Sequence, residues 1–309
     1  MRAKDDIHSN GWRIALIAAA LMVSGCDAVN ELANEGGDNT YYYVSLGTSL
    51  SVGVQPNGSG LPVPTDDGYA DQLFDSIRPA FNTAESQVRE LKLIRLGCPG
   101  ETLDDFVNGG SCPYLAGSQL AAAVDFLTDN AGKIHLVTID IGGNDFRNGY
   151  DDCVGTADPI GCADTLSTQI VADLAPVLAA LRAAAGPDTT IIGMNYYNPY
   201  LSSWLEGDAG MALAAQSMEA VANVSGYLDA TYVAAGIPLA DVALAFQSND
   251  ETLVASTLPP PNDQGLLPLN VMNICLFTYQ CAPDPRGPDI HANTAGYSLI
   301  AATIEPLLP

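Results

Sequence analysis

Short apolar runs at residues 41–46, 91–96, 134–141, 190–196 and 237–246 alternate along the chain with stretches whose apolar residues recur at helical spacing. The runs, bounded by turn residues, read as buried strands, and the 3.6-residue period at 69–81, 118–128, 166–185, 213–235 and 294–308 reads as helices. Strands that alternate with helices bury both their faces when the helices cover a parallel sheet on each side. The expected fold class is therefore α/β, a three-layer αβα sandwich around a central parallel sheet. No internal repeat interrupts the pattern, and 309 residues of which 48% are apolar supply one sizeable core, so residues 41–309 are expected to form one domain. The Pro-rich stretch 258–268 reads as a long ordered loop rather than a linker.

The N-terminal segment has a different character. Residues 14–23 are apolar, follow Arg2, Lys4 and Arg13, and end in Ser24 and Gly25 before Cys26. A basic segment, a short apolar run and small residues, in that order, are the anatomy of a secretory signal, and the run is too short for a spanning helix. Residues 1–25 are read as that signal. The segment Val23-Ser24-Gly25-Cys26 also resembles the lipobox of bacterial lipoproteins, which implies lipidation of the Cys26 thiol and cleavage just before it. An ordinary signal peptide with a Cys nearby is the alternative. Residues 26–40 are polar and rich in Asn, Glu and Gly, which reads as a tether. The expected location is outside the cytoplasm, anchored through Cys26 or free in the periplasm or medium.

Acidic residues outnumber basic ones by 36 to 11, and the resulting charge of -25 repels phosphate backbones and anionic headgroups. That excludes nucleic acid as a partner and leaves the lipid anchor as the expected membrane contact of a monomeric protein. Export also changes the reading of the cysteines, because disulfides persist in oxidising compartments. Besides Cys26 there are three local couples, Cys98 with Cys112, Cys153 with Cys162, and Cys275 with Cys281. Six cysteines allow about fifteen connectivities, of which local pairing is expected. A loop of about 15 residues closed by the first couple contributes roughly 3 kcal/mol in the chain-entropy model. No Cys-x-x-Cys occurs, and His135 and His291 are the only histidines past the signal, so no metal site is expected.

Open parallel sheets carry their chemistry in the loops that leave the C-terminal ends of the strands. The first run enters Gly47-Thr48-Ser49-Leu50, the second Gly97-Cys98-Pro99-Gly100-Glu101-Thr102, and the third Gly142-Gly143-Asn144-Asp145; Gly287-Pro288-Asp289-Ile290-His291 precedes the last helix. In these four blocks, in this order over residues 41–309, the chain resembles the GDSL-type (SGNH) hydrolases, named for their Ser, Gly, Asn and His. The resemblance implies a flavodoxin-like αβα fold and a serine nucleophile at Ser49.

A hydroxyl is a weak nucleophile until a base takes its proton, and His is the side chain best poised to do so near neutral pH. His291 is the expected base. His135 opens a buried strand at the end away from the loops and is expected to be structural. The oxyanion formed on attack needs donors already aimed at it. Gly100 offers a backbone N–H without a Cβ to block approach, Asn144 offers a side-chain amide, and the Ser49 backbone N–H is the third donor that the resemblance implies. Asp145 is expected to order its own loop.

Two positions depart from the family. Its usual Asp before the nucleophile is Thr48 here, which offers a hydroxyl and no charge. Its usual triad acid, three residues before the base, is Pro288 here. Asp289 shares a face with His291 if the segment is extended; Asp284 or a backbone carbonyl are the alternatives for orienting the imidazole.

The expected function is that of an exported serine hydrolase, an esterase or lipase that cleaves small-molecule or lipid carboxylic esters through an acyl-enzyme, without metal or cofactor. Apolar residues 253–276, with Phe277 and Tyr279, wall an acyl pocket or else pack as core. Tyr196, Tyr197 and Tyr200 face either a sugar or an acyl chain, so a carbohydrate acetylesterase is the enzymatic alternative. A surface-binding lipoprotein that has lost activity on the same fold is the alternative of another class.

Overall fold

The computed structural model describes residues 39–83, 89–260, 262–263 and 265–308. The signal, the lipidation position Cys26 and residues 26–38 of the tether lie outside the described residues. Thr40, expected in the tether, is already paired in the first strand.

Five parallel strands form the central sheet: β1 Thr40–Gly47, β2 Glu90–Arg95, β3 Ile134–Asp140, β4 Thr190–Met194 and β5 Leu239–Ala240, in spatial order β2-β1-β3-β4-β5. The chain builds β2 on one side of β1 and then returns to build β3 on the other. That reversal opens a crevice beyond the C-terminal ends of β1 and β3.

Among the described residues, eight α-helices of six residues or more accompany the strands: α1 Tyr69–Thr83, α2 Leu103–Asn108, α3 Gln119–Asp129, α4 Gly143–Val154, α5 Pro159–Ala185, α6 Asp208–Ala234, α7 Leu269–Phe277 and α8 Thr294–Ile304. Alternate residues of each strand point to opposite faces. In β1, Tyr42, Val44 and Leu46 enter a core shared with α2 to α6, whereas Tyr43 enters one shared with α1, α7 and α8. This is the three-layer αβα arrangement expected from the alternation.

The run 237–246 is paired in the sheet only at Leu239–Ala240. Asp241 then caps the helical turn Val242–Ala245, its carboxylate accepting from the Leu244 N–H at 2.9 Å, and Val242 and Phe246 are buried from that turn rather than from a strand. Helix α5 begins earlier than its apolar spacing suggests, because Asp158 caps it and Pro159 fits the first helical position. It is long and apolar enough to cross a membrane, yet Ile170, Leu174, Val177 and Leu181 pack in the core. The last helix stops at Ile304, where Glu305–Leu307 tightens into a 3-10 turn around Pro306. Within the stretch read as a loop, Leu266–Pro268 pairs antiparallel with Leu253–Ala255.

The three local cysteine couples are disulfides in the structure: Cys98 with Cys112, Cys153 with Cys162, and Cys275 with Cys281. The first closes the loop between β2 and α3 that carries Gly100. The second ties the end of α4 to the first turn of α5.

Candidate active site

Ser49 sits in the turn that follows β1, 8% exposed. The residues before it are gripped from two sides. On one, the Gln119 side chain accepts from the Gly47 N–H at 2.6 Å and donates to the Gly47 carbonyl at 2.9 Å. On the other, the Asp140 carboxylate at the end of β3 accepts from the Thr48 N–H at 2.9 Å and from its hydroxyl at 2.5 Å. Gly47 has φ +122°, and a Cβ there would lie 2.0 Å from the Asp140 carbonyl oxygen, so no larger residue fits this close approach.

The carboxylate that Thr48 cannot provide is therefore supplied from the neighbouring strand. Asp140 is fully buried, and Tyr69 donates to its second oxygen at 3.1 Å. Neither Asp140 nor Gln119 is anticipated by the sequence reading. The available signal for Asp140 was a carboxylate in the largely apolar run 134–141, which is rarely buried without partners.

His291 lies on a short strand, β7 Asp289–Ala292, paired antiparallel with β6 Thr278–Tyr279. Extended backbone puts residues two apart on one face. Asp289 Oδ1 accordingly lies 2.7 Å from His291 Nδ1 and accepts from the His291 backbone N–H at 2.8 Å. Burial acts to raise the Asp289 carboxyl, and the hydrogen bonds and charge of His291 outweigh it, so the carboxyl is held below its ordinary value. With Nδ1 engaged, Nε2 is the ring nitrogen available to a hydroxyl proton. Asp284, the alternative acid, is exposed, and it is Asp289 that bonds the imidazole.

The segment around β7 is fastened to the chain just after Ser49. Tyr297 donates to the Val54 carbonyl at 2.9 Å, Tyr279 to Gln55 Oε1 at 2.7 Å, and Arg286 Nε to the Pro56 carbonyl at 3.1 Å. From the far side, Tyr197 donates to the Ile290 carbonyl at 2.7 Å.

Asn144 is in the first turn of α4, and its Nδ2 donates to the Glu101 carbonyl at 2.9 Å. An amide nitrogen carries two hydrogens, so one N–H is held by Glu101 and the other remains for a ligand. Gly100 is exposed at φ +81°, with nothing within 4 Å of where a Cβ would stand, which leaves its N–H approachable. Asp145 does more than order its own loop: its two carboxylate oxygens accept from the Leu103 N–H at 3.0 and 3.1 Å, where the carboxylate also favours the positive end of α2. His135 stays at the far end of β3 against the ring of Phe81.

Ser49, Asn144 and His291 bound one cavity. Gly100 is not among its lining residues but directly precedes Glu101, which holds the Asn144 amide. Phe146, Tyr196, Tyr197, Tyr200, Val221 and Leu228 form much of the remaining wall. No described residue of the stretch 253–276 lines it. Leu258, Leu267, Met272 and Ile274 pack instead in the core under α1 and α8, the outcome expected of apolar residues that find a sheet face to cover.

Burial pushes the Asp140 carboxyl up to about 7 against the hydrogen bonds from Thr48 and Tyr69, and burial likewise pushes Glu101 up to about 7. Unfolded Asp and Glu titrate near 4, so between about pH 4 and 7 the folded state holds protons that the unfolded chain releases. Stability is then fully present below about pH 4 and is lost as pH rises toward 7. Melting temperature is expected to fall from about pH 5 to 8, and an Asp140→Asn, Glu101→Gln double variant, neutral throughout, is expected to show a shallower fall. An equally steep fall in the double variant would assign the effect to the net charge of -25 instead.

No protein-family model matches this sequence, and no curated protein matches it. Solved structures similar to it include the lipase Lip_vut3 from a goat rumen metagenome, with TM-score 0.52 and 16% identity over 86% of this chain and 96% of that one. Phospholipase A1 from Streptomyces albidoflavus NA297 superposes with TM-score 0.49 and 19% identity over 87% and 99% of the two chains. A member of the lipolytic G-D-S-L family from Veillonella parvula gives TM-score 0.44 and 13% identity over 86% and 97%. At such identities the likeness is one of architecture: the chain shares its three-layer αβα fold with the lipase Lip_vut3.

Proposed function

We propose that the protein is an exported serine hydrolase that cleaves carboxylic esters. The observation that carries the reading is the Asp289–His291 pair, hydrogen-bonded at 2.7 Å, opening on the same cavity as Ser49 and Asn144. In the proposed reaction His291 Nε2 takes the Ser49 hydroxyl proton as Oγ attacks the ester carbonyl. Asp289 keeps the imidazole in the tautomer with Nδ1–H and offsets the charge it gains. The developing oxyanion is held by the second Asn144 N–H and the backbone N–H groups of Gly100 and Ser49. Collapse of the tetrahedral intermediate breaks the C–O bond, and the proton on His291 goes to the leaving alcohol. Water, activated by the same His, then releases the acid from the acyl-enzyme.

The substrate is a small-molecule or lipid ester, and the net charge of -25 argues against nucleic acid as a partner of what we read as a monomer. Turnover of chromogenic esters by the purified chain is the test. A correctly folded protein that turns over none of them would favour the surface-binding alternative.

Export and lipid attachment at Cys26 belong to the same reading. They are supported by the lipobox-like segment and by three disulfides, which need an oxidising compartment. Wild-type protein is expected to incorporate labelled fatty acid in its native host and Cys26→Ser is not; unlabelled wild type would remove the anchor from the proposal.

A further inference from the structure

The cavity beside Ser49 has a volume of about 80 Å³. An apolar protein cavity of about 150 Å³ holds one benzene ring, six carbons. By that measure the space here takes about three.

Its walls come from elements that cannot easily retreat. Helix α6 presents Val221, Val224, Ser225 and Leu228 to it, the i, i+3, i+4, i+7 stripe of one helix face. Leu228 is 1% exposed and packs beside Gly142 at the head of α4, and Phe146 of α4 is 6% exposed. Tyr196 closes the side behind β4. These residues belong to the main core of the α2 to α6 layer, and packed interiors resist added methylenes.

We propose that this cavity is the acyl site and that it limits the substrate to esters of short acyl groups, from acetyl to butyryl. The inference rests on the ester-hydrolase reading. The ester carbonyl carbon stands at Ser49 and the oxyanion donors, and the tail of up to about three carbons fills the space behind it. Val224, Leu228 and Phe146 set the limit at the inner end, because a longer chain directed there meets buried side chains.

The test is kcat/KM of the purified chain on p-nitrophenyl acetate, butyrate, hexanoate and octanoate, each below its solubility limit. Butyrate is expected to exceed octanoate by at least about 100-fold, in line with the discrimination that hydrophobic pockets achieve per added methylene. Leu228→Ala and the smaller deletion Val224→Ala, each checked for its fold by circular dichroism, are expected to raise the octanoate-to-butyrate ratio at least about 10-fold. Equal wild-type rates on octanoate and butyrate would overturn the inference while leaving the ester-hydrolase reading intact. So would an unchanged ratio in the folded variants. Absence of turnover at every chain length would overturn that reading and this inference with it.

Discussion

Ser49→Ala is expected to lower kcat for ester hydrolysis by about 10⁶-fold while the melting temperature shifts by no more than about 2 °C. The first part follows from chemistry: alanine has no oxygen to form the acyl-enzyme, and residual catalysis comes only from binding and the oxyanion donors. The second follows from how the turn is held. Its anchors are Gln119 on Gly47 and Asp140 on Thr48, together with the bond from the Val54 N–H to the Ser49 carbonyl at 2.9 Å. None of these uses the Ser49 hydroxyl. Stopped-flow or steady-state turnover beside a thermal melt checks both parts at once. A variant that hydrolyses esters at the wild-type rate would refute the mechanism, and one that melts far lower would reveal a structural serine.

The second large effect is expected from Asp289→Asn, a fall in kcat of about 10⁴-fold with KM little changed. One oxygen of Asp289 accepts both the backbone N–H and the ring Nδ1–H of His291. An amide oxygen can keep the backbone bond, so β7 is expected to hold its course. The negative charge beside the imidazolium is lost, and an amide turned the other way would present a donor to Nδ1 and favour the wrong tautomer. Because the charge matters only when His291 is protonated, the loss appears in the chemical step rather than in ground-state binding. Asp284→Asn, at an exposed position, is expected to stay near wild type. Near-wild-type kcat for Asp289→Asn would reassign the orienting role.

How far the sequence reveals the site depends on the kind of signal each residue leaves. The sheet was legible because β1, β3 and β4 are largely apolar and buried on both faces, the mark of strands covered by helices on each side, whereas the edge strand β2 also carries Glu90, Lys92 and Arg95. The fifth was overextended: Asp241 ends the pairing by capping a turn, and apolar residues such as Val242 and Phe246 look alike whether a strand or a turn buries them. Helices α2, α4 and α7 escaped notice, since α2 has too few residues to show a period, α4 opens on two glycines and α7 is apolar on nearly every side. Asp289 could be favoured over Asp284 because two-residue spacing on an extended segment is a geometric statement that needs no tertiary knowledge. Asp140 and Gln119 could not be found in the same way. Their role exists only because β3 and α3 flank the end of β1 in space, and nothing local to either residue records that neighbour. The choice between pocket wall and core for 253–276 stayed open for the same reason, since hydrophobicity shows that those residues are buried and not which surface buries them; the structure selects the core.

Ser49 and His291 come from opposite ends of the domain's sequence, joined by the bonds from Tyr279, Arg286 and Tyr297 to the stretch of chain after Ser49. On the proposed mechanism, a nascent or clipped chain that stops before β7 would therefore own the hydroxyl and the oxyanion donors but lack the base that takes the proton. Esterase activity would then report that β7 has docked, silent in every partial product that lacks this strand.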